Sequence, residues 1–183
     1  VRAGRAGGNF HFKKMKNDPS LILESDLSLK GFVYQTESGA NLLSSPEINM
    51  SLNSRLEWNP AEEGIYLKMA VLDSPMGKIE AGGRLLGRTG ELQEVRMTAS
   101  DLLLETIPQY WIFLKEAIPF NLGFSGQSSL EMSFEGTLDH LSLHANVDFT
   151  KTLLTYGRFF SKAKDIPMNL GLDYLIKDGK ILS

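Results

Sequence analysis

Apolar and polar side chains alternate one by one through most of this chain, and a period of two constrains the backbone more than any other pattern it contains. From Leu21 the sequence runs LILESDLSLKGFVY, which puts Leu23, Ser25, Leu27, Leu29, Gly31 and Val33 on one side and Glu24, Asp26, Ser28 and Lys30 on the other. A β-strand sends successive side chains to opposite faces, so the segment reads as a half-buried strand. Ile48, Met50, Leu52, Leu56 and Trp58 repeat the pattern, as do Ile65, Leu67, Met69 and Val71, and then Ile79, Ala81, Gly83 and Leu85. Further along come Leu130, Met132 and Phe134, then Leu141, Leu143, Ala145, Val147 and Phe149, and finally Met168, Leu170, Leu172 and Tyr174. Asn9–Lys14 alternates more weakly and is read as a further strand.

Turn chemistry separates these runs. Ser38-Gly39, Asn59-Pro60, Glu63-Gly64, Ser74-Pro75 with Met76-Gly77, Thr89-Gly90 and Asp178-Gly179 all mark reversals. The gaps are short enough for hairpins, so neighbouring strands are expected to be antiparallel, with one apolar and one solvated face. Two segments break the alternation. Ser100-Asp101 is expected to start a short helix through Leu102–Glu105 that Pro108 ends, with the aromatic stretch Tyr110, Trp111, Ile112 and Phe113 following. Thr150–Lys164 is expected to be a short helix or an irregular cap. The fold expected is mainly β: an elongated, curved antiparallel sheet, either an open β-groove or sandwich-like, with one or two short helices. No linker divides the chain. Residues 1–183 read as a single β-rich segment of a larger protein, because the sequence starts at Val1. A weak internal repeat links 87–103 with 136–154, each a glycine turn, an alternating strand and an apolar segment.

Little in the sequence points to chemistry. With 183 residues and a net charge of −3, the chain has no basic footprint for nucleic acid. It has no cysteine, which removes disulfides, thiolate metal sites and cysteine nucleophiles. His140 and His144 would share a helix face, but on a strand they stand about 13 Å apart, too far for one metal ion. Asp139, Asp148 and Asp173 are not brought together by any motif. No GxSxG elbow or phosphate loop is present. No catalytic residue, metal site or cofactor is therefore assigned.

The apolar face is the informative feature. Several strands each offer about four apolar side chains to one side. A second sheet, missing parts of a parent protein or a bound apolar ligand must cover them, because wet apolar surface costs about 25 cal/mol per Å². An ordinary two-layer sandwich is the default among these.

The stretch Ser128–Leu182, SSLEMSFEGTLDHLSLHANVDFTKTLLTYGRFFSKAKDIPMNLGLDYLIKDGKIL, resembles the C-terminal repeat region of the AsmA-like family of bacterial envelope proteins. It runs from a strand through a Gly-Thr-Leu turn to a strand ending in Asp148-Phe149. A Leu-rich piece with Tyr156-Gly157 follows, then a basic segment, Ile166-Pro167, another strand and a Lys-Asp-Gly turn. The family is similar to bridge-like lipid-transfer proteins. The resemblance implies a non-enzymatic, lipid-binding or lipid-conducting segment of a periplasmic protein, anchored to the inner membrane through a missing N-terminal segment. It also implies a part in outer-membrane biogenesis and phospholipid transport between membranes. The partner is then a phospholipid or other acyl-chain ligand, with envelope proteins as further partners and membrane contact through the rest of the parent protein. Leu130, Met132, Phe134, Leu141, Leu143, Val147, Phe149, Met168, Leu170 and Leu172 are the expected groove lining. Lys151, Arg158, Lys162 and Lys164 are expected to meet anionic headgroups. The alternative is a structural or interaction β module that scaffolds envelope assembly with no bound lipid.

Overall fold

A computed structural model describes residues 4–14, 16, 18–33, 35–38, 41–110, 119, 121–137, 139–177 and 180–182. The strands are β1 (Arg5–Lys14), β2 (Leu21–Phe32), β3 (Gln35–Ser38), β4 (Asn41–Ser44), β5 (Ile48–Asn59), β6 (Gly64–Ser74) and β7 (Gly77–Leu86). They continue as β8 (Glu91–Leu103), β9 (Leu122–Thr137), β10 (His140–Asp148), β11 (Thr152–Tyr156), β12 (Phe160–Lys162), β13 (Asn169–Lys177) and β14 (Lys180–Leu182). A 12-stranded sheet runs β1-β2-β5-β6-β7-β8-β9-β10-β13-β14, with β11 and β12 joined to it through β9. Every pairing is antiparallel, and β3 and β4 form a separate hairpin. Most neighbours in the sheet are also neighbours in sequence, as short turns require.

The sheet is open and has no second layer among the described residues. Only Ile22, Ile48 and Ala99 are buried apolar side chains there. A sandwich would bury the inner faces of two sheets, so the sandwich-like alternative is not what forms. Total accessible surface is 12234 Å², against about 8,800 Å² for a compact monomer of 20.3 kDa. The difference is what a one-layer sheet costs in exposure.

Four expectations need correction. First, β8 runs through Leu103, so no helix starts at Ser100-Asp101. Asp101 instead takes a positive φ of 54° where the β8–β9 register shifts. A 3₁₀ turn spans Leu104–Thr106, and α1 covers Ile107–Tyr110. Pro108 lies inside that helix rather than ending it, because the first-turn N–H groups have no intrahelical acceptor to lose. Trp111, Ile112 and Phe113 lie outside the described residues. Second, Thr150–Lys164 holds the β11–β12 hairpin in place of a helix or cap.

The third and fourth corrections concern bulges. Gly31 has φ 62° and lies where the β2–β5 register shifts, so Phe32 rather than Gly31 or Val33 continues the side of Leu29. Along β6 the register shifts between Leu67 and Ala70, so Leu67 pairs with Leu56 but Met69 pairs with Arg55. Met69 and Val71 therefore leave the side of Ile65 and Leu67, and Ala70 and Leu72 replace them. One extra residue reverses every facing beyond it.

Candidate functional site: the apolar face of the sheet

Register assembles the face residue by residue. Directly opposed residues in an antiparallel pair share a face. Across the first strands, Phe12–Leu23–Leu56–Leu67 forms one lateral row and Leu27–Leu52–Leu72–Ile79 another. Further on, Met97–Met132–Ala145–Leu172 and Val95–Phe134–Leu143–Tyr174 cross β8, β9, β10 and β13. Ile79 opposite Ala99 and Ala81 opposite Met97 join the two halves. One apolar face thus extends from β1 to β13.

The expected lining residues occupy this face as follows. Leu130 pairs with Val147, Met132 with Ala145, Phe134 with Leu143 and Gly136 with Leu141. Leu170 and Leu172 then pair with Val147 and Ala145 from β13. Phe149 and Met168 lie just past the strand ends, and the Phe149 N–H donates to the Met168 carbonyl at 2.8 Å, extending the ladder by one pair. The face is only half covered. Trp58 is 44% exposed, Leu85 37%, Leu170 45% and Tyr174 38%. Near the β1 end, Ala6, Gly8, Phe10, Leu27, Leu29, Met50, Leu52 and Leu72 border an open apolar concavity of about 520 Å³. Sequence reasoning passed over Phe10 and Phe12, 58% and 79% exposed. The weak alternation of Asn9–Lys14 was their one signal.

The opposite face is charged. The Lys13 ammonium donates to Glu24 Oε2 at 2.6 Å, with Arg55 at 3.7 Å from the same carboxylate. Lys68 lies 3.4 Å from Glu57, and Lys68 and Arg84 both sit over the Tyr66 ring. Met69 and Leu175 interrupt this polarity and are exposed.

That charged face contains the closest approach to a catalytic constellation among the described residues. Arg96, Ser133, His144 and Asp173 form one lateral row across β8, β9, β10 and β13. His144 Nδ1 and Asp173 Oδ1 are 2.5 Å apart. The row borders a shallow concavity of about 540 Å³ with Thr98, Glu131 and Asn146. The His144 and Asp173 side chains are 64% and 81% exposed, however, and no hydrogen bond joins Ser133 to His144. The pair is open to water, and no base among the described residues reaches the Ser133 hydroxyl to activate it. His144 is thus paired rather than free on a solvated face. Asp148 serves elsewhere: it accepts the Thr150 N–H at 2.7 Å, and hydrogen bonding from the Thr150 side chain, then from that N–H, holds its carboxyl below the usual range.

Lys162 also departs from expectation. It is buried, and its Nζ donates to the carbonyls of Phe149 at 2.7 Å, Thr150 at 3.0 Å, Thr152 at 2.8 Å and Ala163 at 3.0 Å. Its charge is used within the fold and does not reach a headgroup. Lys151, Arg158 and Lys164 remain exposed. Among the described residues no cluster of acids and histidines is built for a metal, and no helix is long and apolar enough to cross a membrane. No family model, curated protein or solved structure matches this chain.

Proposed function

We propose that this chain is a non-enzymatic lipid-binding or lipid-conducting segment. The observation that carries the reading is the continuous apolar face, spanning β1 to β13 in register, with no layer over it among the described residues. Apolar surface of that extent is unfavourable in water unless something apolar lies on it. An acyl chain fits the need because each methylene buried contributes about 0.8 kcal/mol. The face offers rows of Leu, Met, Val and Phe, and the Ser25 and Ser54 hydroxyls on it are hydrogen-bonded to each other, so a chain can slide along it. The charged opposite face keeps the other side in water.

The AsmA-like resemblance of Ser128–Leu182 supports the same reading. It extends it to a periplasmic setting and to phospholipid movement in outer-membrane biogenesis. The second reading, an interaction module that scaffolds envelope assembly, is favoured by one specific observation: β1 is exposed along its length and its outer edge has no partner strand among the described residues. An open edge is a template for another chain.

Mass spectrometry of gently purified protein separates the two. The lipid reading expects co-purified phospholipid, and it expects Leu143→Asp and Phe134→Asp to lower lipid content while the β-sheet circular dichroism persists. Protein that carries no lipid after native extraction, with both variants simply unfolded, would leave the scaffold reading.

A further inference from the structure

The β11–β12 hairpin lies beyond one end of the rows just described. β9 pairs with β10 only from Ser129 onward and with β8 only from Gln127 onward. Its first residues, Leu122–Gly126, continue past both and carry β11. The hairpin therefore extends one end of the sheet. Leu122, Tyr156 and Phe160 form a lateral row there, 37%, 43% and 46% exposed, and Phe159 in the turn is 81% exposed.

This tip is held rigidly. Gly157 takes φ 52°, which a tight reversal requires, and its N–H donates to the Asn121 carbonyl at 2.8 Å. The Phe159 N–H donates to Tyr156 at 3.1 Å. The four-carbonyl cage of Lys162 ties the base of β12 to the β10–β11 turn. Aromatic side chains are thus presented to water by a braced hairpin, with Arg158 between them and Lys151 and Lys164 exposed on the flanking turns.

We propose that the Tyr156–Phe160 tip docks on the surface of an anionic bilayer. Phe159, Phe160 and Tyr156 enter the boundary between headgroups and acyl chains, and Arg158 meets the anionic headgroups there, while Lys151 and Lys164 lie at the base of the hairpin, roughly 15 Å behind the tip. Exposed aromatics beside cations are what an interfacial site uses, because ring burial and headgroup attraction add. The charge argues for lipid over an apolar protein groove: Arg158, the cation between the aromatics, has no ion-pair partner among the described residues. The inference does not depend on the sheet's apolar face, since one docks a membrane and the other holds single chains.

Sedimentation of the 183-residue chain with vesicles tests it, using phosphatidylcholine alone and an equimolar mixture with phosphatidylglycerol. The expected result is binding to the mixed vesicles that weakens with salt, and weak binding to the neutral ones. Arg158→Glu with Phe159→Ser lowers that binding about tenfold or more and leaves the thermal midpoint and the co-purified lipid unchanged. Phe159→Trp adds blue-shifted emission on mixed vesicles beyond that of the wild type. Failure of the wild type to bind mixed vesicles, binding by the double variant equal to wild type, or no added blue shift would each overturn the proposal. Capture of a protein in place of vesicles would do the same.

Discussion

The ammonium of Lys162 lies among four main-chain carbonyls, near enough to Asp148 to help hold that carboxylate ionised. Such a group exchanges its hydration for fixed dipoles, and those carbonyls lose their donor if it is removed. Lys162→Met should cost about 2–3 kcal/mol by leaving buried acceptors unpaired. Urea unfolding measures the loss, and hydrogen exchange should localise it to Thr152–Lys162. Lysine spacing in the sequence carried no sign of this, because the acceptors are backbone atoms brought together by a turn. Glu24 gives a second residue-scale prediction. Its bond to the Lys13 ammonium holds its carboxyl below the usual carboxylate range. A lowered folded pKa adds stability above the unfolded value, and that stability is lost as pH falls through the folded one. Thermal midpoints should therefore be level near neutrality and fall below about pH 4.5. Glu24→Gln should flatten that acid limb, and the effect should be small because exposed pairs contribute little.

Strands were the most legible elements, since a period of two admits one backbone geometry. Runs such as Leu21–Leu29 and Leu141–Val147 show their faces directly, and the paired registers agree with them. Bulges were not legible. Gly31 and Asp101 each shift one ladder and Lys68 shifts two, and what places them is the partner strand, which a single segment does not display. The β11–β12 hairpin was missed for a related reason: Leu153, Leu154 and Tyr156 sit in a stretch too short to establish a period. At the sheet edge, Phe12 is 79% exposed on a strand whose outer side is unpaired among the described residues. An open edge with exposed aromatics favours self-association, and an edge charge opposes it. Phe12→Glu should shift the chain toward monomer in light scattering without lowering its thermal midpoint; loss of the fold instead would show that β1 is held more tightly than its exposure indicates.

On the scale of the molecule, one layer of strands separates a charged side from an apolar side, and burial is sparse. That the ten expected lining positions share one side was legible, because alternation assigned each to one side of its strand and register carries that side across the sheet. The absence of a covering layer among the described residues was not legible, since alternation is the same in a sandwich and in an open sheet. Cysteine scanning probes the central claim most directly, because the chain contains no cysteine of its own. Single cysteines at Leu85, Leu143 and Leu172, with Ser133 and Ser142 as controls on the other face, would carry an environment-sensitive thiol dye. All five positions should label in lipid-free protein. Adding phospholipid should then blue-shift the emission at Leu85, Leu143 and Leu172 together and leave the two serine positions unchanged. Thiols at the leucine positions that resist labelling without lipid, or a dye response that does not distinguish the two faces, would contradict the account.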